Sequence, residues 1–312
     1  MYYNVRMTTH HHAHLHEPAP DFGRAFRIGV LLNTGFVAAE VLWGLKANSL
    51  ALLADAGHNF GDVLGLLLAW AAMGLARRKP SARFTYGLQS ASIMAALANA
   101  IILLITVGGI GWEALQRLSH PQSVAGGTVI AVAALGILIN GATALLFMKG
   151  SRHDLNIRAA FLHMAADAAI SLGVVIAGLI ILQTGWLWLD PAASLCISIA
   201  IIAGTWGLFR ESTTLALHAA PKGIDAERVR AFLMAQPGVS EIHDLHIWAM
   251  STTETALSTH LLMPGGYPGG AFINNLSRAL EHEFHIGHAT IQIEVDKTSE
   301  SCALATRHAI GS

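Results

Sequence analysis

Two segments of this sequence place a histidine and an aspartate at the same spacing inside apolar stretches. Asp62 follows His58 by four positions, and Asp167 follows His163 by four positions. On an α-helix, residues at this spacing leave the same face, one turn apart. Ionisable groups inside a membrane span are costly and mark an ion or substrate path. Two imidazole nitrogens and two carboxylate oxygens suit a tetrahedral divalent cation, so the pattern predicts a metal site at bilayer depth and indicates transport.

The types of donor atom limit which metal fits. Zinc accepts nitrogen and oxygen donors in tetrahedral geometry, whereas calcium and magnesium need more oxygens and softer ions prefer sulfur. Cobalt, iron and cadmium share enough of these preferences to stay alternatives. Binding requires neutral imidazoles and ionised carboxylates, so protons leave as the metal enters, which predicts a proton–metal antiporter. The sequence has no G-x-x-x-x-G-K-[S/T] motif, and ATP-driven pumping is therefore not expected.

Asp55 lies one helical turn before His58, on about the same face. One interpretation makes it an acceptor for an imidazole N–H or a residue of the access path, and the other makes it a polar contact between helices. A polar contact that binds nothing would also explain His58 and Asp62 alone. The second histidine–aspartate pair favours the metal site, because intramembrane charges are rare.

The composition is that of an integral membrane protein. Of the 312 residues, 53% are hydrophobic and only 12% are charged, whereas soluble domains carry about 25% charged residues. The net charge of -1 and the lack of a basic patch with interleaved aromatics exclude nucleic acid as an expected partner. Stretches long enough to cross about 30 Å of hydrocarbon occupy residues 28–45, 49–76, 88–112, 124–148, 159–183 and 191–209.

Basic residues predict the orientation in the membrane. They cluster before the first stretch and after the even-numbered ones, and only Lys46 and Arg117 lie near span ends on the other side. The cluster consists of Arg24, Arg27, Arg77, Arg78, Lys79, Arg83, Lys149, Arg152, Arg158 and Arg210. The positive-inside rule then places both termini in the cytoplasm. The compact loops favour a bacterial cell (inner) membrane.

The last third of the chain has the pattern of a small soluble α+β domain. We predict helices at 225–236 and 271–284 and strands at 239–248, 255–263 and 289–295. An αββαβ order of this size predicts a ferredoxin-like sheet with both helices on one face. The expected division is a histidine-rich cytoplasmic segment 1–23, a six-helix membrane domain 24–212, a cytoplasmic domain 213–298 and a flexible tail 299–312.

The other histidines permit more than one interpretation. His10, His11, His12, His14 and His16 form a tract that suggests weak capture of cytoplasmic metal. His243, His246, His260 and Glu294 lie on predicted strands, where packing or surface hydrogen bonds are the alternative to metal binding. His282, His285 and His288 lie near the end of the second soluble helix, and a solvated helix terminus explains them as well as metal does.

The motifs together resemble the cation diffusion facilitator family of zinc exporters over nearly the whole chain. The similar segments are SLALLADAGH at 49–58 with Asp62, FTYG at 84–87, DLNIR at 154–158 leading to His163 and Asp167, Asp190-Pro191, Glu211-Ser212 and IHDLHIW at 242–248. The resemblance implies six spans, a cytoplasmic ferredoxin-like domain and a homodimer. It also implies export of Zn²⁺ in exchange for H⁺ by alternating access.

The resemblance further implies which residues bind metal. The transport ligands fall on His58, Asp62, His163 and Asp167, and a histidine at position 58 is associated in the family with preference for zinc over cadmium. Regulatory zinc ligands of the cytoplasmic domain fall on a second set. That set is His243, His260 and Glu294.

Two other classes of protein compete with this interpretation. An intramembrane zinc hydrolase would need an open metal position and a general base. Here His-x-x-x-Asp stands where such enzymes carry His-Glu-x-x-His, and no spare glutamate neighbours the site, so we expect no enzyme. A membrane metal sensor would bind zinc in both domains without transporting it, and metal flux distinguishes it from a transporter.

Overall fold

The computed structural model describes residues 22–148 and 155–296. In this part of the chain, six long helices precede a smaller domain of two helices and three strands. The long helices are α1 (Phe22–Ala47), α2 (Leu50–Ala76), α3 (Ala91–Ser119), α4 (Gly126–Met148), α5 (Leu155–Thr184) and α6 (Leu189–Ala216). The smaller domain contains α7 (Ala226–Met234), β1 (Glu241–Ala249), β2 (Thr255–Leu262), α8 (Gly270–Phe284) and β3 (His288–Glu294).

The helical bundle is a membrane domain. Within the described residues, α2 to α6 each contain a segment long and apolar enough to cross a bilayer. The 26-residue α1 packs against α2 and α4 in the same bundle. Hydrocarbon offers no hydrogen bonds to the backbone, so segments of this composition fold as helices. The predicted fold class, six membrane helices followed by an αββαβ domain, is confirmed.

Helices α1, α5 and α6 extend at both ends beyond the apolar stretches that predicted them, whereas α2 and α4 do not. The stretch that predicted α6 ends at residue 209, but the helix continues through Arg210 and Glu211 to Ala216. Hydropathy reports where the chain leaves the hydrocarbon, whereas helical hydrogen bonds continue into water. Our expected domain boundary at residues 212–213 therefore lies inside α6.

Helix α2 is the centre of the bundle, since it contacts α1, α3, α5 and α6. Ser49 caps its N-terminus, and the Ser49 hydroxyl accepts from the Leu52 N–H. Asp190, in the first turn of α6, accepts hydrogen bonds from the Ser49 hydroxyl and from the backbone N–H groups of Leu50 and Ala51. The Asp190 carboxylate is 1% exposed, so one buried acid fastens the start of α2 to the start of α6.

The smaller domain is a three-stranded sheet covered by two helices. The strand order is β1-β2-β3, with β1 and β2 antiparallel and β2 and β3 parallel. Val229 of α7 and Leu280 of α8 share one core with Leu257 and Leu261 of β2, as predicted for helices on one face. Asp225 caps α7 by accepting from two backbone N–H groups of its first turn.

The smaller domain rests against the bundle near the start of α3. The Ser90 hydroxyl donates to the Met250 carbonyl at 3.0 Å, and the Thr252 N–H donates to the Ser92 hydroxyl at 3.1 Å. The rings of Tyr86 and His288 pack edge to face with their centroids 5.6 Å apart. The basic link between α2 and α3 therefore lies at the same end of the bundle as the smaller domain.

Several sequence-based predictions fall outside the described residues. These are the N-terminal histidines with the tract 1–21, the part of the α4–α5 link at 149–154, and the tail from residue 297 onward.

We expect Asp190→Ala to destabilise the membrane domain by about 2–4 kcal/mol, because it leaves one buried hydroxyl and two buried N–H groups without an acceptor. Reversible unfolding in detergent micelles measures this loss. Glu113→Ala is the matched control, since Glu113 is 47% exposed and pairs only with Arg117, and such surface pairs contribute about 0–1 kcal/mol. Equal losses in the two variants would contradict the assignment.

Candidate metal centre

The two histidine–aspartate pairs predicted from the sequence meet between α2 and α5. His58 Nε2 lies 3.1 Å from Asp167 Oδ1, and His163 Nε2 lies 3.1 Å from Asp62 Oδ2. Within each helix the corresponding separations are 3.9 Å for His58 and Asp62 and 3.7 Å for His163 and Asp167. Each histidine is therefore closer to the aspartate of the other helix than to the aspartate of its own. We call these four residues the tetrad.

The tetrad has the dimensions of a four-coordinate zinc site. One ligand atom from each residue can be chosen so that all four lie within 4.8 Å of one another. Zinc–ligand bonds of about 2.0–2.1 Å would put neighbouring ligand atoms of a tetrahedron about 3.3 Å apart. The four separations of 3.1–3.9 Å lie around that value. The side chains therefore need little movement to surround a tetrahedral cation.

The tetrad is open on one side and closed on the other. The His163 side chain is 41% exposed, whereas Asp167 is 1% exposed. The exposed edge of the tetrad is therefore at His163, and its buried side is at Asp167. Among the described residues, His58 Nδ1 and Asp167 Oδ2 are buried without a hydrogen-bond partner. Asp167 Oδ2 lies 3.7 Å from His163 Nε2, so a cation in the tetrad would supply its missing partner.

Asp55 does not serve as the acceptor for a tetrad imidazole in this structure. Its Oδ2 accepts from the Ser171 hydroxyl of α5 at 3.0 Å, and its carboxyl group also interacts with Glu40 of α1. Glu40 in turn accepts from Asn59 Nδ2 at 3.0 Å. Asp55 therefore belongs to a polar network that joins α1, α2 and α5 behind the tetrad.

A second cluster forms on the sheet of the smaller domain. His260 Nδ1 lies 2.8 Å from Glu294 Oε1, and His243 Nε2 lies 3.2 Å from Glu294 Oε2. The two imidazole rings pack edge to face, 5.1 Å between centroids. His243 and His260 are directly opposite each other across β1 and β2. The three residues predicted through the family resemblance are thus brought together, and we call them the sheet cluster.

A β-bulge adds a neighbour to the sheet cluster. The pairing of β1 with β2 shifts between His243 and His246, and Asp244 within the bulge has a φ of 53°. The bulge brings Asp244 Oδ2 to 3.7 Å from His260 Nε2 and Asp244 Oδ1 to 2.9 Å from His246 Nε2. His246, an open candidate from the sequence, therefore contacts the rim of the cluster through Asp244.

Other histidine candidates lie apart from these clusters. His282 is in the last turn of α8 and His285 caps its C-terminus in the left-handed conformation. His288 packs on Tyr86. Among the described residues, none of the three joins a group of ligands that could hold an ion.

Sequence patterns did not identify the residues behind the tetrad. Glu40 is the one charged residue of the first apolar stretch. That intramembrane charge was the available signal. Asn59 and Ser171 carried no signal of their own, because polar uncharged residues are frequent in membrane helices.

The fold and the tetrad are those of a multi-pass membrane protein with a group of four residues inside its helical bundle that could hold a cation. Comparisons with known proteins agree with this class. Residues 26–215 match the family model described as the cation efflux transmembrane domain, and residues 221–296 match the cation efflux protein cytoplasmic domain.

Relatives extend the similarity over most of the chain. The zinc transporter ZitB of Escherichia coli is 35% identical, with 92% of each chain covered. The cation efflux system protein CzcD of an Alcaligenes species is 33% identical over 90% of each chain. A cadmium, cobalt and zinc/H⁺-K⁺ antiporter of Bacillus subtilis is 32% identical over 89% of this chain and 90% of its own.

A solved structure also matches the C-terminal part. It is the metal-bound C-terminal domain of the CzcD transporter from Cupriavidus metallidurans, 35% identical, with 23% of this chain and 99% of that chain covered at a TM-score of 0.22.

This chain belongs to the cation efflux family, and the predicted resemblance to the cation diffusion facilitators is confirmed. It is a membrane transporter and not an enzyme, which removes the intramembrane hydrolase from consideration.

We expect the two clusters to bind zinc independently. Asp167→Ala should weaken binding at the tetrad by more than about 100-fold, since losing an outer-sphere partner alone costs about 10–100-fold. It should leave the sheet cluster loaded. His260→Ala should remove the sheet-cluster ion and leave the tetrad loaded.

Competition titration of the purified full chain against a zinc chelator measures both effects. The exposed His120→Ala is the control for histidine loss. Loss of both ions in either single variant would show that the clusters are not separate sites.

Proposed function

We propose that the protein exports Zn²⁺ from the cytoplasm in exchange for H⁺ by alternating access of the tetrad. The observation that carries this proposal is the cross-pairing of His58 with Asp167 and of His163 with Asp62 between two membrane helices. Ligands supplied in equal numbers by two helices make a site that forms or separates as the helices move. The transported ion is the substrate, and no organic cofactor is required.

Zinc is supported as the substrate by the donor atoms and by the relatives. Two imidazole nitrogens and two carboxylate oxygens at tetrahedral separations suit a borderline-soft cation. Similar proteins are named as transporters of zinc, and one as an antiporter of cadmium, cobalt and zinc. The ligand types and the relatives both favour zinc as the transported ion, with cadmium and cobalt as the main alternatives.

Proton exchange follows from the contacts of the two imidazoles. In the cation-free site, a hydrogen on each Nε2 is donated to the carboxylate 3.1 Å away. A metal ion binds the Nε2 lone pair of a neutral imidazole, so an imidazolium with a hydrogen on both nitrogens must release its Nε2 proton before coordination. Protons return to the imidazoles after the ion departs. The same atoms therefore bind either protons or metal, and this competition couples the two fluxes.

The packing of the bundle supports alternating access. Helix α5 packs along α4, and α2 packs along α3, whereas α2 and α5 meet at only a few positions. The tetrad lies across this narrow contact. A rocking movement between the two sides of the contact would open the site to one side of the membrane or the other without disrupting either helix pair.

The proposal also assigns two roles to the smaller domain. We assign the sheet cluster of His243, His260 and Glu294 as a regulatory zinc site, and we assign the domain as the contact of a homodimer. We also propose that both termini lie in the cytoplasm, as the basic residues predict, and that the protein resides in a bacterial inner membrane, as the compact loops suggest. Asp55 acts behind the tetrad and not as a ligand.

We expect Asp62→Ala and Asp167→Ala each to reduce zinc/proton exchange to the background of empty vesicles, because a carboxylate ligand is lost. Zinc uptake and internal pH in proteoliposomes with an imposed pH gradient measure the two fluxes. Glu113→Ala is a control at an acid outside the tetrad. Undiminished flux in both aspartate variants would remove the site assignment. Zinc binding without flux in the unaltered protein would identify a sensor.

We expect His58→Asp to relax the discrimination between zinc and cadmium. A carboxylate can bind through two oxygens and so suits a larger cation with more ligands, whereas imidazole supplies a single nitrogen. The ratio of zinc to cadmium flux, measured in the same vesicle preparation, should fall toward unity. An unchanged ratio would place selectivity elsewhere in the protein.

A further inference from the structure

Two acidic side chains that the proposed cycle does not use lie side by side behind the tetrad. Glu40 of α1 and Asp55 of α2 are each 0% exposed, and their carboxyl groups interact with one another. Neither is hydrogen-bonded to a tetrad residue among the described contacts. We call these two residues the acid pair.

In each residue of the acid pair, one carboxyl oxygen accepts a hydrogen bond from a neighbouring side chain. The second oxygen is left for the interaction with the other acid. Glu40 Oε2 accepts from Asn59 Nδ2, and Asp55 Oδ2 accepts from the Ser171 hydroxyl, both at 3.0 Å. In the described part of the chain, no N–H or O–H donor reaches Glu40 Oε1 or Asp55 Oδ1. A hydrogen bond between two carboxyl groups needs a proton on one of them.

The surroundings of the acid pair also require that proton. The Asp55 carboxyl group interacts electrostatically with His58 and Asp167, and the Glu40 carboxyl group interacts electrostatically with Asp167. Helix α4, which packs against α1 and α5, has no titratable residue within Gly126–Met148. Among the described residues, the groups that act most strongly on either acid include no lysine or arginine. Two ionised carboxylates in a dry site without a cation repel each other, so one proton is retained.

Helix α4 packs closely beside the acid pair. A side-chain carbon at Gly136 of α4 would lie 2.7 Å from the Phe36 ring and 2.8 Å from the Ser171 hydroxyl. The backbone of α4 therefore covers Ser171, the donor to Asp55, and Phe36, one turn before Glu40. The acid pair is consequently held by α1, α2, α4 and α5 together.

We propose that the acid pair is a second proton carrier of the exchange, separate from the tetrad imidazoles. In the cation-free protein one proton is shared between Glu40 and Asp55. When a divalent cation enters the tetrad, one helical turn from Asp55, its charge stabilises the doubly ionised pair. The O–H bond then breaks, the proton leaves to the solvent, and both carboxylates keep their electron pairs. The proton returns when the cation leaves.

The inference rests on the proposed function, and proton counting tests the two separately. The experiment adds zinc to the purified full chain in weakly buffered detergent solution and measures protons released per bound zinc. In Glu40→Gln the introduced amide accepts from Asn59 and donates to Asp55, so it replaces the shared proton by a fixed hydrogen. We expect about one proton fewer per tetrad zinc than in the unaltered protein, with the same zinc stoichiometry.

Controls separate the acid pair from other groups. Glu113→Gln makes the same chemical change at an exposed acid paired with Arg117, and it should leave the proton count unchanged. The sheet cluster is intact in every variant, so its protons cancel in the comparison. Asp55→Asn provides the same test should Glu40→Gln fail to fold.

An infrared difference spectrum of the unaltered protein supplies a measurement that needs no variant. Zinc should remove the absorption of a protonated carboxyl group, and Glu40→Gln should lack that change. Persistence of the absorption on zinc binding would overturn the inference. So would an equal proton count in Glu40→Gln and the unaltered protein, and in that case the proposed exchange at the tetrad stands. Absence of any proton release from the unaltered protein would defeat both.

Discussion

The contact of α2 with α5 through two crossed histidine–aspartate pairs is the interaction on which the membrane domain depends. Removing four ionisable groups from water costs several kcal/mol per charge unless each finds a partner. The crossed pairs give each imidazole a carboxylate at 3.1 Å from the opposite helix. A divalent cation replaces the hydrogens in these contacts without moving the groups far. One geometry therefore satisfies the same four side chains with and without the substrate.

The rest of the bundle positions α2 so that these contacts can form. Asp190 fixes its first turn to α6, and Asn59 ties its middle to Glu40 of α1. Asp55 reaches across to Ser171 of α5, one turn beyond Asp167. All of these anchors are buried polar groups, which bind strongly only when fully partnered. The rotation of α2 about its axis is thereby set from three sides, and with it the direction of His58 and Asp62.

The sequence was most informative where the pattern is local. The spacing of four within each histidine–aspartate pair, the six apolar stretches and the αββαβ order all follow from periodicity along one element. Which aspartate faces which histidine depends on how α2 and α5 pack, and no single-helix pattern encodes that. The contacts of Glu40 with Asp55 and of Asp190 with the start of α2 also depend on helix packing, so the sequence pattern could not predict them. The bulge that directs Asp244 toward His260 is a two-strand property and was likewise absent from the sequence pattern.

A transport site must bind its ion and also let it go, and an equal division of ligands between two helices meets both needs. A rigid site on one element would hold the ion with the same ligands in every conformation. In the proposed cycle, a small separation of α5 from α2 would leave each helix with one nitrogen and one oxygen donor, which is half the coordination that zinc requires. The direct contact of α2 with α5 is narrow, whereas α4 with α5 and α2 with α3 pack over much of their lengths; α4 and α5 also contact α1 and α6. The large packed surfaces therefore preserve each half of the bundle as the affinity for the ion falls.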